Sequence, residues 1–206
     1  MMKRLGPTPS QTVGPYFSMC LGTRAHGQPH APNILTRPSA QGERIRIEGR
    51  VFDGDRKPIE DALLELWQAD ASGHYCHPLD RQPELRAHDG ESEHDFSGFG
   101  RANTDWQAAD GAYWFETIRP GAVPDATGVA QAPHLNLIVH ARGMLLPSFT
   151  RLYFSDCPAQ NERDSVLRSV PMARRSTLIA QRVAGTAVFK FDIRFQGADE
   201  TVFFDF

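Results

Sequence analysis

From residue 44 onward, apolar and polar residues alternate in short runs, the two-residue period of half-buried β-strands. In ERIRIEGRVFD, Ile45 and Ile47 share one face. ALLELWQAD is apolar on both faces through Leu63, Leu64, Leu66 and Trp67, the pattern of a central strand. GRANTDWQAADGAYWFETIRPG reads as two strands around Asp110-Gly111, a hairpin signal. APHLNLIVHARG and TRLYFSD follow as strands, and VFKFDIRFQG puts Phe189, Phe191, Ile193 and Phe195 on one face. ETVFFDF reads as a closing hydrophobic strand, buried either in a subunit interface or at an edge of its own domain. Helical character is confined to 160–182. Asn161 to Asp164 can start a short helix that Pro171 interrupts, and RRSTLIAQR can add a turn or two. Many strands and little helix predict an all-β fold, a β-sandwich, over residues 44–206.

Residues 1–43 are different. Pro7, Pro9, Pro15, Pro29, Pro32 and Pro38 exclude long helices there. Yet QTVGPYFSMCLG carries Val13, Tyr16, Phe17, Met19 and Leu21, too much apolar surface for a solvated tail. We expect an N-terminal arm that docks, on another chain or on its own domain. A second irregular stretch, HYCHPLDRQPELRAHDGESEHDFSGFG, is long and polar, as functional or disordered loops are.

Composition narrows the function classes. With 206 residues and a hydrophobic fraction of 40%, the chain can bury the core of one large β domain. The net charge of -3, with no basic run longer than two residues, argues against nucleic acid as a partner. Cys20, Cys76 and Cys157 are odd in number and widely spaced, which suits free thiols in a reducing compartment. The N-terminus lacks the apolar core of a signal peptide, and no run nears the ~18 apolar residues of a membrane span, so a cytoplasmic location is expected.

APHLNLIVHARG holds the candidate chemistry. One strand face carries His134, Asn136, Ile138 and His140, the other Leu135, Leu137, Val139 and Ala141. Two imidazoles on one face suggest a metal site, but an amide is a poor partner for histidine at a transition metal. The stretch is a metal site, the remains of one, or a strand with polar residues outward. His74, His77, His88 and His94 crowd the polar loop at spacings that fit no structural zinc pattern. Cys76 would need a thiolate-stabilising environment to react, and none is visible in sequence. Trp67, Trp106 and Trp114 read as core or interface aromatics.

SQTVGPYF, LELWQADASGHY, GRANTD with GAYWFETIRPG, APHLNLIVHARG, TRLYF and FDIRFQG with ETVFFDF, in this order, resemble the intradiol ring-cleavage dioxygenases. The resemblance spans nearly the whole chain and is greatest to the non-catalytic chain of the two-chain members. It implies the family's β-sandwich. It also implies a ferric iron that the catalytic chain holds through two tyrosines and two histidines, phenolates being hard donors suited to Fe(III). Carried over singly, the first tyrosine is retained as Tyr75 in WQADASGHY. The second falls on Val123 in RPGAVP, and the histidine pair on His134 and Asn136. The arginine preceding that pair aligns with Gln131. With Val123 and Asn136 the set is vestigial, so no metal and no catalytic residue is expected in this chain.

The resemblance further implies a dioxygenase beta chain as partner, which holds the Fe(III) and cleaves protocatechuate with O2 to 3-carboxy-cis,cis-muconate. This chain would complete the substrate pocket at the shared interface and build the oligomer. Matching positions are Thr12, Gly14 and Pro15 of the arm and Arg142 of HARG. A guanidinium suits the substrate carboxylate, and Gly-Pro gives a small, stiff backbone beside a flat ring. Plain packing of the arm and an ordinary surface or interface salt bridge at Arg142 remain alternatives. A transthyretin-like or carbohydrate-binding sandwich without an enzymatic partner is the rival reading.

Overall fold

The structure is a computed structural model and describes residues 9–14, 17, 21, 33–77, 80, 96–104 and 111–205. Its strands are β1 (Arg44–Gly49), β2 (Val51–Phe52), β3 (Leu63–Trp67), β4 (Phe99–Asn103), β5 (Tyr113–Ile118), β6 (His134–His140), β7 (Ser148–Phe154), β8 (Ile179–Arg182), β9 (Val188–Lys190) and β10 (Ile193–Arg194). Two helical turns, α1 (Pro158–Asn161) and α2 (Ser165–Ser169), and a 3-10 segment (Met172–Leu178) lie between β7 and β8. Eight strands form one continuous sheet in the order β4-β3-β6-β7-β8-β9-β1-β5, and β10 pairs with β2.

The sheet folds over on itself as a sandwich. Its two halves share one core, with Ile45, Ile47, Tyr113 and Phe115 from one side meeting Leu64, Leu66, Leu135, Leu137, Val139, Leu152 and Phe154 from the other. Alternation along β6 explains its placement, since Leu135, Leu137 and Val139 are all but fully buried. The opposite face of the β3-β6-β7 group is covered only in part, and it carries the chemistry. Pairing puts Trp67 beside Asn136, and Asn136 beside Arg151, on that face.

Four expectations change. β4 and β5 do not form a hairpin, because β4 pairs with β3 and β5 with β1 at opposite ends of the sheet. The link from Asn103 to Tyr113 is far longer than a two-residue turn, and alternation alone does not name a partner. VFKFDIRFQG keeps its facing pattern but splits into β9 and β10, which serve different partners. In RRSTLIAQR only the first half is helical, as 3-10, and Ile179–Arg182 is strand. Among its described residues, 200–205, ETVFFDF forms no ladder strand. Phe204 N donates to Phe149 O at 2.8 Å, Thr150 Oγ1 donates to Val202 O at 2.8 Å, and Phe203 stacks on Phe195, so the segment lies along its own domain.

Candidate functional site

Two loops are clasped together beside β6. Gln68 is fully buried, its amide nitrogen donating to Ile118 O at 2.9 Å while its oxygen accepts from Thr117 Oγ1 at 2.7 Å. That joins the end of β3 to the end of β5. Beyond it, Gly121 N donates to Asp70 O at 2.8 Å, so close that a Cβ on Gly121 would stand 2.6 Å from Ala71 O. Gly73 meets Ala122 as closely and has φ +87, so both glycines are dictated by backbone contact. Asp70 Oδ1 accepts from the backbone nitrogens of Ser72 and His74, and Asp80 Oδ2 accepts from Tyr75 N at 2.6 Å. The result is a cavity of about 650 Å³ lined by Tyr75 and Val123 together with Trp67, Gly73, His74, His77, Asp80 and Pro124.

The Tyr75 ring lies parallel to Trp67, 5.9 Å between centroids and 7° apart in plane. Its hydroxyl accepts from Asn136 Nδ2 at 3.2 Å. Burial raises the phenol pKa above its ordinary value, against the smaller opposing effect of the Asn136 bond. His134 is 3% exposed, with Nδ1 2.8 Å from Ala132 O and its ring beside Tyr153. Burial first, and then the positive charge of Arg151, lower its pKa to about 4, so the imidazole is neutral at physiological pH. Asp164, equally buried, ties this corner together. It accepts from Tyr153 OH at 2.9 Å, Ala132 N at 2.9 Å and, as the cap of α2, Leu167 N at 2.8 Å.

Arg151 is the cation of this corner. It stands across from Asn136 in the ladder and donates from Nη1 to Gln131 Oε1 at 2.7 Å. Its charge bears on Tyr75, His134 and Tyr153 together. The ligand positions suggested by sequence are therefore gathered in one neighbourhood, but they do not make a ferric site. Tyr75 is bonded to an amide and held protonated, Val123 offers no donor, and a guanidinium sits within electrostatic reach of both Tyr75 and His134. Among the described residues no three histidine, cysteine, aspartate or glutamate side chains converge as ligands. The iron that the resemblance implies for catalytic members does not fit these residues.

The other end of β6 is built differently. His140 Nε2 is 3.7 Å from Glu65 Oε2, and Glu65 Oε1 accepts from Arg101 Nε at 2.7 Å. Hydrogen bonding to His140 and then Arg101 holds the Glu65 carboxyl below its ordinary pKa despite its burial. The buried arm residue Phe17 packs its ring on His140, centroids 6.5 Å apart. Two residues beyond His140, Arg142 is exposed and pairs with Asp61. Thr12 is exposed, and Gly14 has φ +75 with open space where a Cβ would be. Pro15, Cys20, His88, His94 and Trp106 lie outside the described residues. His74 stands 3.8 Å from Asp70, His77 meets Trp67 edge-on, and the Arg46 guanidinium lies over Trp114. Cys76 is an exposed free thiol, and Cys157 is buried with Arg119 Nη2 2.9 Å from its sulfur.

Sequence reading missed Gln68, Asp164, Arg151 and Asp61. Asp164 had a signal, an aspartate immediately before SVLRS in the capping position. The other three act through partners far away in sequence, and no local pattern marks them.

A family model described as Dioxygenase matches residues 12–197. The alpha chain of protocatechuate 3,4-dioxygenase from Pseudomonas putida is 42% identical, over 98% of this chain and 98% of that one. The beta chain of the Burkholderia cepacia enzyme is 33% identical over 82% of this chain and 71% of its own length. Among solved structures, the dioxygenase domain of a carbohydrate-binding fusion protein from Streptomyces sp. SirexAA-E superposes with a TM-score of 0.55 at 28% identity, covering 94% of this chain and all of that one. With the sandwich, the order of motifs and these matches in agreement, the chain belongs to the intradiol dioxygenase family.

Proposed function

We propose that this chain is the non-catalytic, alpha-type subunit of a two-chain protocatechuate 3,4-dioxygenase. Its partner is a cytoplasmic beta chain that holds Fe(III) and cleaves protocatechuate with O2 to 3-carboxy-cis,cis-muconate. The observation that carries this reading is the state of the metal-site positions. Tyr75 is bonded to Asn136, Val123 is apolar, and Arg151 already supplies a positive charge. A chain with this corner does not bind ferric iron, yet it is 42% identical to an alpha chain over almost its whole length. The same similarity favours a dioxygenase subunit over a transthyretin-like binding module.

What the subunit contributes lies at the other end of β6. Residues 1–43 serve as an arm beside the 44–206 sandwich, and Phe17 seats that arm against His140. Arg142 is two residues further along the chain, and in this reading Thr12, Gly14 and Pro15 of the arm and the guanidinium serve the partner's pocket. There Arg142 attracts the substrate carboxylate. The test is expression of the chain alone and together with its beta chain. Alone, it should hold almost no iron and consume no oxygen with protocatechuate, while the purified pair should do both. Iron near one per isolated chain, with ring cleavage, would overturn the proposal.

A further inference from the structure

The sheet register explains where Arg142 points. Leu63 pairs with His140, so continuing the antiparallel ladder by two residues sets Asp61 opposite Arg142 on the same face. The side chains meet as the register requires, with Arg142 Nε 2.6 Å from Asp61 Oδ2. This is a close ion pair rather than an aligned hydrogen bond, and that carboxylate oxygen has no hydrogen-bond donor among the described residues. The partners differ in access. The Asp61 side chain is only 14% exposed, whereas that of Arg142 is 61% exposed.

Asp61 is also fixed in place. Its neighbour Ala62 is fully buried, with its N donating to Thr104 Oγ1 at 2.9 Å and its O accepting from Thr104 N at 3.0 Å. Arg142 sits in a turn closed by Met144 N donating to Ala141 O, where Gly143 has φ +87. A mobile arginine on such a turn must lose rotamer freedom each time it captures an anion. Pairing it through Nε with a rigid carboxylate removes part of that loss in advance.

We propose that Asp61 is a positioning residue for Arg142. It holds the guanidinium by Nε so that both terminal amino groups face the carboxylate of a catechol acid bound by the neighbouring chain. The inference rests on the pocket role given to Arg142 above. It predicts selectivity for carboxylated over uncharged catechols, because only the former meet the two amino groups.

The test uses the co-expressed alpha–beta complex and oxygen uptake with protocatechuate and with catechol. Asp61→Asn should raise KM for protocatechuate about five-fold, leave kcat within about two-fold, and leave KM for catechol unchanged. Arg142→Gln should raise the same KM further. Asp61→Glu should recover part of the loss, which a merely structural defect would not show. If Asp61→Asn prevents assembly, Arg142→Lys takes its place: it keeps the charge, lacks Nε, and should produce the same KM split. If Arg142→Gln raises KM while Asp61→Asn, or Arg142→Lys in its stead, leaves it unchanged or lowers it, Asp61 does not position the arginine. If Arg142→Gln itself changes nothing, the pocket role fails, and this inference with it.

Discussion

The two ends of β6 carry similar side chains and use them in opposite ways. At the start of the strand, His134 and Asn136 face Tyr75, Tyr153 and Arg151, and His134 Nδ1, Asn136 Nδ2, Arg151 Nη1 and the Tyr153 hydroxyl all have partners within the chain. At its end, His140 anchors the arm, and Arg142, with a side chain 61% exposed, pairs with Asp61. An imidazole and a phenol at conserved-looking spacing therefore say little about function. What decides is whether the donors are consumed or available. The closed end still has the residue types of a metal site, and the open end has an exposed guanidinium.

The largest expected effect would break this contrast by opening the closed end. Val123→Tyr with Asn136→His restores the missing donor types but leaves Arg151 in place. At an effective dielectric of about 20, a guanidinium within the roughly 4–6 Å range of strong charge coupling costs about 3–4 kcal/mol per unit of metal charge. The double variant should therefore load little iron. Adding Arg151→Gln should raise ferric affinity at least about a hundred-fold. The readouts are metal content per chain and the visible phenolate-to-iron band. Equal loading of the double and triple variants would show that Arg151 does not guard the site.

How much of this was legible in sequence follows from how local each signal is. The buried face of β6 is readable because Leu135, Leu137 and Val139 repeat with the period of the strand itself. The lack of a phenol at position 123 is readable because RPGAVP is a contiguous motif with valine there. The false hairpin at Asp110-Gly111 marks the limit, since β4 and β5 alternate correctly but find β3 and β1 through the fold. Arg151 in TRLYF looks like any strand residue until the register sets it across from Asn136. Asp61 is opaque for the same reason, because its partner lies 81 positions away in the chain and is fixed only by the β3–β6 pairing.

A second prediction sharpens the contrast through pH. The folded-state pKa of His134, about 4, lies below its ordinary value of 6.5. The unfolded chain therefore takes up a proton at His134 that the folded chain refuses. The stabilising effect of the neutral imidazole is fully present above pH 6.5 and is lost as pH falls toward 4. The loss amounts to about 3 kcal/mol across that window. Asp156, held near 2 by Arg119 and then Arg182, loses its contribution only below its ordinary 3.8, so the two windows separate. Urea midpoints of the isolated chain, taken between pH 7 and 4, should fall steeply for the native sequence and less for His134→Asn. Parallel slopes would mean that His134 titrates normally.

The smallest effect is expected where the arm meets the open end. Phe17 is buried and rests on His140 at the rim of the sheet face, whereas Leu35, also buried among the described residues of 1–43, belongs to the main core. Truncating a core phenylalanine costs about 3–5 kcal/mol, but a rim contact on a tethered arm should contribute about 1 kcal/mol. Phe17→Ala should therefore barely move the thermal midpoint of the isolated chain and leave its acid window intact. It should speed proteolysis of the arm and, in the alpha–beta complex, raise KM for protocatechuate two- to three-fold, by about 0.5 kcal/mol. The effect should vanish when Arg142→Gln is already present if arm and guanidinium act on the substrate as one unit, because coupled residues do not add. Additive losses in the double variant would separate the arm from Arg142 and leave the open end with two independent contributions.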